Sequence, residues 1–365
     1  MLNCNSLGLA IHELTKGRNM QSKGYAVLEA SKALVPFSFS RRELRPADVA
    51  LKIEYAGICH SDIHQAREEW GPAIFPMVPG HEIAGVVTEI GNSVTKFKVG
   101  DRIGVGVFVD SCRKCDSCKA GLEQYCVEGM TGTYNGYERD GKTVAQGGYS
   151  DTFVVDQDYA VTIPANLDMA GVAPLLCAGI TLYSPLKNWG AGKGKKVGII
   201  GLGGLGHMGL KFSVALGAHT TVFSHSPSKE ADAKKMGAHD FVVTKDPATL
   251  AAMAKDFDLI LNTVSADMDL TPFLERLKLD GTLVLIGLPG KPYEISTPTL
   301  LAQRRSLAGS MIGGIAQTQE MLNFCGEHNI VSDVEVIEPT YINEAYERTV
   351  KSDVKYRFVI DAKKF

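Results

Sequence analysis

Residues 56–64 read AGICHSDIH and set Cys59, His60 and His64 close together. A thiolate and an imidazole are ligand types that zinc prefers, so the cluster suggests a metal site. Two readings stay open: one ion held by all three side chains, or three side chains with separate tasks. Further ligand types lie at a distance, His81 and Glu82 in GHE at 80–82 and Cys177 in LLCAGIT at 175–181. Two thiolates and one imidazole leave a fourth tetrahedral position open, as a catalytic zinc requires. Each of these residues alone is more often a buried structural one, and spacing does not bring 59, 81 and 177 together.

A denser cluster follows. CRKCDSCKAGLEQYC supplies Cys112, Cys115, Cys118 and Cys126. Four thiolates complete a tetrahedron with no open position, which makes a structural zinc site. As independent residues they would leave exposed thiols beside Lys114 and Lys119, whose charge would activate them. The other four cysteines, Cys4, Cys59, Cys177 and Cys325, are scattered. In a reducing compartment such clustering indicates metal rather than disulfides.

The third pattern is VGIIGLGGLGHMGLKFSVALGA, a strand, a glycine turn and a helix with Gly201, Gly203, Gly204 and Gly206 in the order G-x-G-G-x-G. Glycines there bend the turn and let the backbone approach a pyrophosphate, whose charge the helix N-terminus receives. The next strand ends in TVFSHSPSK, where an NAD site would carry an acid for the ribose hydroxyl. No acid occurs between Gly201 and Lys229. Ser224, Ser226 and Lys229 offer hydroxyls and a positive charge that suit a 2′-phosphate, so NADP(H) is the expected cofactor.

These patterns need two kinds of scaffold. From about 24 to 160 the chain has short, alternating, β-branched segments between Gly, Pro and Asp, as in VALKIEYAG, EIAGVVTEIG and YSDTFVVD, which predicts a β-rich unit. After 178 apolar strands alternate with helical stretches, which predicts a parallel α/β unit. The tail after about 316 adds one amphipathic helix, TQEMLNFCGEHN, and a last strand, YRFVID, that could return to either unit. The first 19 residues fit no element and read as an N-terminal extension.

Composition bounds the function. The 365 residues contain 45% hydrophobic side chains, and 38 basic residues stand against 41 acidic ones for a net charge of −3. That balance gives no footprint for nucleic acid or an anionic membrane. No apolar run reaches membrane-spanning length and no secretory signal opens the chain, so a cytoplasmic protein with a small-molecule partner is expected.

Together GICHSDIH, PMVPGHEIAGVV, the four-cysteine lobe, LLCAGIT, GLGGLGHMG and YRFVID resemble the zinc-dependent medium-chain alcohol dehydrogenases over the chain after about residue 22. The C-H-S-D at Cys59 and the serine-rich loop before Lys229 are most similar to the cinnamyl alcohol dehydrogenase group. The resemblance implies a GroES-like catalytic domain, 20–177 and 316–365, and a doubly wound Rossmann domain, 178–315, with the site in the cleft between them. It implies a catalytic zinc on Cys59, His81 and Cys177, with Glu82 beside it, and a structural zinc on the four-cysteine lobe. Ser61 would contact the substrate oxygen and start a proton relay ending at His64. Thr181 would approach the nicotinamide, Gly201, Gly203, Gly204, Leu205 and Gly206 would form the pyrophosphate turn, and Arg357 would reach a cofactor phosphate. His60 is left with at most a cofactor contact. Trp70 would either line the substrate cleft or pack its loop. A homodimer or homotetramer reducing primary aldehydes with NADPH is the expectation. The alternatives are a polyol or secondary-alcohol dehydrogenase, and a non-catalytic NADPH-binding redox sensor.

Overall fold

The structure, a computed structural model, describes residues 20–365; the extension at 1–19, Cys4 included, lies outside the described residues. The β-branched segments build a mixed sheet around one long strand, β1 (Asp48–Gly57). Its order is β5 (Val161–Thr162), β3 (Arg102–Val105), β2 (Ile83–Ile90), β1, β13 (Arg357–Asp361) and β12 (Val334–Ile337), with β4 (Thr152–Asp156) also on β1. β4 takes the first half of the β1 edge, pairing Asp156 with Asp48, and β13 takes the last part, pairing Asp361 with Tyr55. The tail question is thereby answered for the last strand. YRFVID enters the β-rich sheet as an interior strand.

The alternating α/β stretch forms six parallel strands in the order β8 (Asp240–Val243), β7 (His219–Ser224), β6 (Lys196–Ile200), β9 (Phe257–Asn262), β10 (Leu277–Leu285) and β11 (Ser306–Gly309). Numbered within the sheet this is 3-2-1-4-5-6, and order reverses beside β6, where such folds bind dinucleotides. SLAG at 306–309 is too short and too poor in β-branched residues to announce its strand, which pairing with β10 creates.

Two helices join the units. α2 (Ala178–Asn188) is buried from Ala178 to Leu186 and packs between α3 (Gly206–Ala215) and α4 (Ile315–His328). Ile180, Leu182 and Leu186 are among its buried side chains, each contributing about 1.5–3 kcal/mol by leaving water. Among the described residues no single helix is long and apolar enough to cross a membrane.

Candidate active site and metal centres

Three turns converge where β1 and β2 meet α2. Cys59 follows the end of β1 and caps α1 (His60–Ala66) in an extended conformation. His81 and Glu82 immediately precede β2, and Cys177 sits at the break between a 3₁₀ turn and α2. One ligand atom from each of Cys59, His81, Glu82 and Cys177 lies within 4.8 Å of the others, and all four residues are buried. The two sulfurs are 3.9 Å apart.

Asp62, which the sequence reading passed over, holds this set in place. Its Oδ2 accepts from the Cys59 amide at 2.9 Å and the Tyr149 hydroxyl at 3.0 Å. Its Oδ1 accepts from the Gly80 amide at 3.2 Å and from His81 Nδ1 at 3.1 Å. All four acceptor sites of the carboxylate are thus used. With Nδ1 bound, His81 presents Nε2, the arrangement by which a carboxylate orients a metal histidine. The signal for Asp62 was present: an acid three residues after a helix cap is a capping-box pattern.

Burial works against the imidazolium, but Asp62 and the Cys59 thiolate outweigh it and hold His81 well above its usual range. The hydrogen bond between the thiols draws Cys59 well below the usual cysteine range and pushes Cys177 well above it. Thiols and imidazole must lose their protons to bind a metal, so capture of a cation there strengthens as pH rises. The donor set fits zinc: two sulfurs, one oriented imidazole, and a buried carboxylate oxygen, Glu82 Oε2, with no hydrogen-bond partner among the described residues. Glu82 is held up to about 8 by burial against the pull of Arg357.

Ser61 Oγ accepts from Cys59 Sγ at 3.5 Å and so borders the metal set. His64, one turn along α1, is partly exposed and its Nδ1 is hydrogen-bonded to Glu69. Trp70 stacks on that imidazole with ring centroids 4.7 Å apart and remains exposed. Trp70 therefore packs its loop against His64. His60 is exposed beside His64, its ring 6.0 Å away.

The second cluster closes as its spacing suggests. Ligand atoms of Cys112, Cys115, Cys118 and Cys126 lie within 4.8 Å of one another. Backbone amides of 112 and 115 donate to the sulfurs of Cys126 and Cys112, each at 3.4 Å. An amide at Val127 pulls Cys115 down to about 6, whereas burial pushes Cys118 up to about 11. The lobe also meets the start of α4, where Glu123 Oε2 accepts from the Ile315 amide at 3.2 Å.

On the parallel sheet, Gly201 has φ +90 and a Cβ on Gly206 would stand 2.0 Å from the Gly201 carbonyl oxygen, so both must be glycine. Gly203 has nothing within 4 Å of its Cβ position, which leaves that backbone open to a pyrophosphate. Leu205 is the N-cap residue of α3. Ser224 ends β7, its Oγ accepting from the Ser226 amide at 3.1 Å. Lys229 reaches back over the turn, with Nζ 2.8 Å from the Leu202 carbonyl. Thr181 is buried, its hydroxyl donating to the Cys177 carbonyl at 2.6 Å. Arg357 does not stand free at the turn: its Nη2 is bound to Glu82, while its Cδ lies 2.8 Å from the Cβ position of Gly204. One guanidinium therefore borders both the metal set and the glycine turn.

His207, in the first turn of α3, was also missed. Its Nδ1 meets the Gly203 carbonyl at 3.1 Å, Nε2 meets Ser332 Oγ at 3.0 Å, and Tyr356 stacks on the ring at 4.9 Å. Burial first, then Lys211, lower its pKa to about 3. Since an unfolded histidine titrates near 6.5, the unfolded chain binds the extra proton below that pH, and stability falls as pH drops from 6.5 toward 3. Between pH 7 and pH 5 this group should remove about 2 kcal/mol. Denaturant midpoints at the two pH values should separate further in the wild type than in His207→Gln; equal separation would refute the assignment.

Comparison with known proteins decides the family. The profile for the alcohol dehydrogenase GroES-like domain matches residues 45–165, and that for the zinc-binding dehydrogenases matches 204–327. The chain is 59% identical over 338 residues to NADP-dependent alcohol dehydrogenase C 1 of Mycolicibacterium smegmatis, covering 92% of this chain and 97% of that protein. It belongs to the zinc-dependent alcohol dehydrogenases. Within them it falls in the cinnamyl alcohol dehydrogenase group. A cinnamyl alcohol dehydrogenase from Sorghum bicolor, SbCAD4, superposes with a TM-score of 0.91 at 46% identity, over 94% of this chain and 98% of that one. The aldehyde reductase YahK of Escherichia coli is 50% identical over 344 residues, 94% of this chain and 98% of its own. This alcohol dehydrogenase is an NADP-dependent zinc oxidoreductase acting between aldehydes and alcohols.

Proposed function

We propose that the enzyme works chiefly as a reductase of primary aldehydes, aromatic or medium aliphatic, as a cytoplasmic homodimer or homotetramer. Catalysis is assigned to the unit 20–177 with 316–365, and cofactor binding to 178–315. The observation that carries the reading is the meeting of Cys59, His81 and Cys177 from three separate turns within 4.8 Å. These three residues would hold a catalytic zinc, and Cys112, Cys115, Cys118 and Cys126 a structural one. When bound, zinc supplies Lewis-acid polarisation of a carbonyl and NADPH supplies hydride.

The chain's own residues do the rest. Asp62 fixes the imidazole and the Cys59 turn, Glu82 waits beside the set, and Arg357, lying against the glycine turn, holds Glu82. Ser61 both donates and accepts, so its hydroxyl can pass a proton between the cleft and His64. Glu69 fixes one nitrogen of His64 and leaves the other for exchange with solvent. Lys229, Ser224 and Ser226 receive the 2′-phosphate, and Thr181 borders the nicotinamide. Trp70 offers an aromatic edge at the cleft mouth, which favours aromatic aldehydes over polyols.

The test is a metal count joined to an aldehyde, sugar and secondary-alcohol panel with both cofactors. Two zinc ions per chain and highest kcat/KM for primary aldehydes with NADPH are expected; preference for sugars would sink the substrate assignment. His64→Ala should lower kcat about tenfold, less than the usual 10²–10⁴-fold of a general base because solvent reaches that position. Zinc content should stay at two. Loss of one zinc would instead make His64 a ligand.

A further inference from the structure

The glycine before the zinc histidine leads to a residue the mechanism has not used. Gly80 has φ +104, and a Cβ there would lie 2.5 Å from Cδ1 of Tyr149. The tyrosine ring is thus pressed against the backbone that presents His81. Tyr149 is fully buried, and its amide donates to the Pro79 carbonyl at 2.9 Å. Its hydroxyl donates to Asp62 Oδ2 at 3.0 Å, the oxygen that also holds the Cys59 amide.

We propose that Tyr149 is a positioning residue for the catalytic zinc, acting on His81 through Asp62 on one side and Gly80 on the other. The inference rests on the assignment of Cys59, His81 and Cys177 as zinc ligands. A phenylalanine would fill the same volume, so the hydroxyl is not needed for packing. It supplies the fourth donor to a carboxylate whose other three bonds reach two ligand-bearing turns. With that donor gone, Oδ2 keeps only the Cys59 amide, and the carboxylate is held against rotation by three bonds where it had four. The imidazole on Oδ1 and the Cys59 amide on Oδ2 are then both tied to a less firmly held carboxylate, and the tilt of the one and the position of the other loosen together. Tyr346 is the natural comparator: it packs edge-on to Tyr149 at 6.4 Å, is buried, and among the described residues its hydroxyl makes no bond to Asp62.

The experiment follows zinc leaving the purified holoenzyme into excess chelator, together with the visible spectrum of enzyme carrying cobalt at the catalytic site. The four-cysteine lobe gives an internal second phase. Tyr149→Phe should release the catalytic zinc about tenfold faster, at the low end of the 10–100-fold range for outer partners of a metal histidine. Its cobalt bands should shift and its kcat should fall, with the lobe phase and KM for NADPH unchanged. Tyr346→Phe should match the wild type in release and spectrum. If Tyr149→Phe lowers the melting temperature but leaves catalytic-zinc release and the cobalt bands as in the wild type, the residue is packing alone and the proposal is overturned. Failure of the underlying ligand assignment is separately visible, as a wild-type chain with only one zinc or a Cys59→Ser variant that keeps both release phases.

Discussion

Cys59→Ser is expected to abolish turnover while the folded chain keeps its other zinc. The substitution removes one of the three proposed protein ligands, and a serine hydroxyl at neutral pH does not replace a thiolate. Lewis-acid stabilisation of the developing charge is worth several kcal/mol, and each 1.36 kcal/mol is tenfold in rate, so kcat should fall by about 10³-fold or more. Folding should survive because serine is close to cysteine in volume and Cys59 keeps its backbone bond to Asp62. Metal analysis should find one zinc where the wild type has two, and NADPH binding followed by fluorescence should be unchanged. Full zinc content with normal turnover would remove Cys59 from the ligand set.

Lys229→Ala should reverse the cofactor choice. The ammonium lies over the glycine turn at the end of the segment that contains no acid. Burial lowers its pKa from the usual lysine value, so approach of a dianionic phosphate would restore the charge that the site partly opposes. A hydrogen bond to a charged group is worth about 1.5–3 kcal/mol, so KM for NADPH should rise about 10–100-fold. KM for NADH should barely change, since it has no 2′-phosphate. Initial rates with both cofactors decide the matter. An equal loss for both would mean that Lys229 acts through the Leu202 carbonyl it holds, not through the phosphate.

What was legible in the sequence was what is local. KKVGIIG, HTTVFS and YRFVID carry continuous apolar runs and become β6, β7 and β13, and the cysteines at 112–126 close on themselves because spacing alone brings them together. Asp62 was legible in principle, three residues from its cap. The remaining partners were not, because nothing in a chain's pattern pairs Tyr149 with Asp62 across 87 positions or Arg357 with Glu82 across 275. Cys59, His81 and Cys177 stood in the same condition. Resemblance to a family grouped them, and the geometry supplies the reason they meet: each sits where β1, β2 or α2 begins or ends.

The interior place of β13 has a consequence for synthesis. A strand made after all the others described lies between β1 and β12, so part of one edge of β1 waits open while everything from Ile58 to Tyr356 is made. Arg357 arrives with that strand, and Glu82 has its buried counter-charge only then. The parallel sheet, by contrast, has its last strand once Gly309 has emerged. On the ribosome the nucleotide-binding half can therefore mature first, whereas the metal-binding half stays incomplete until β13 has emerged, with the Cys59, His81 and Cys177 turns already made but the sheet beneath them unfinished.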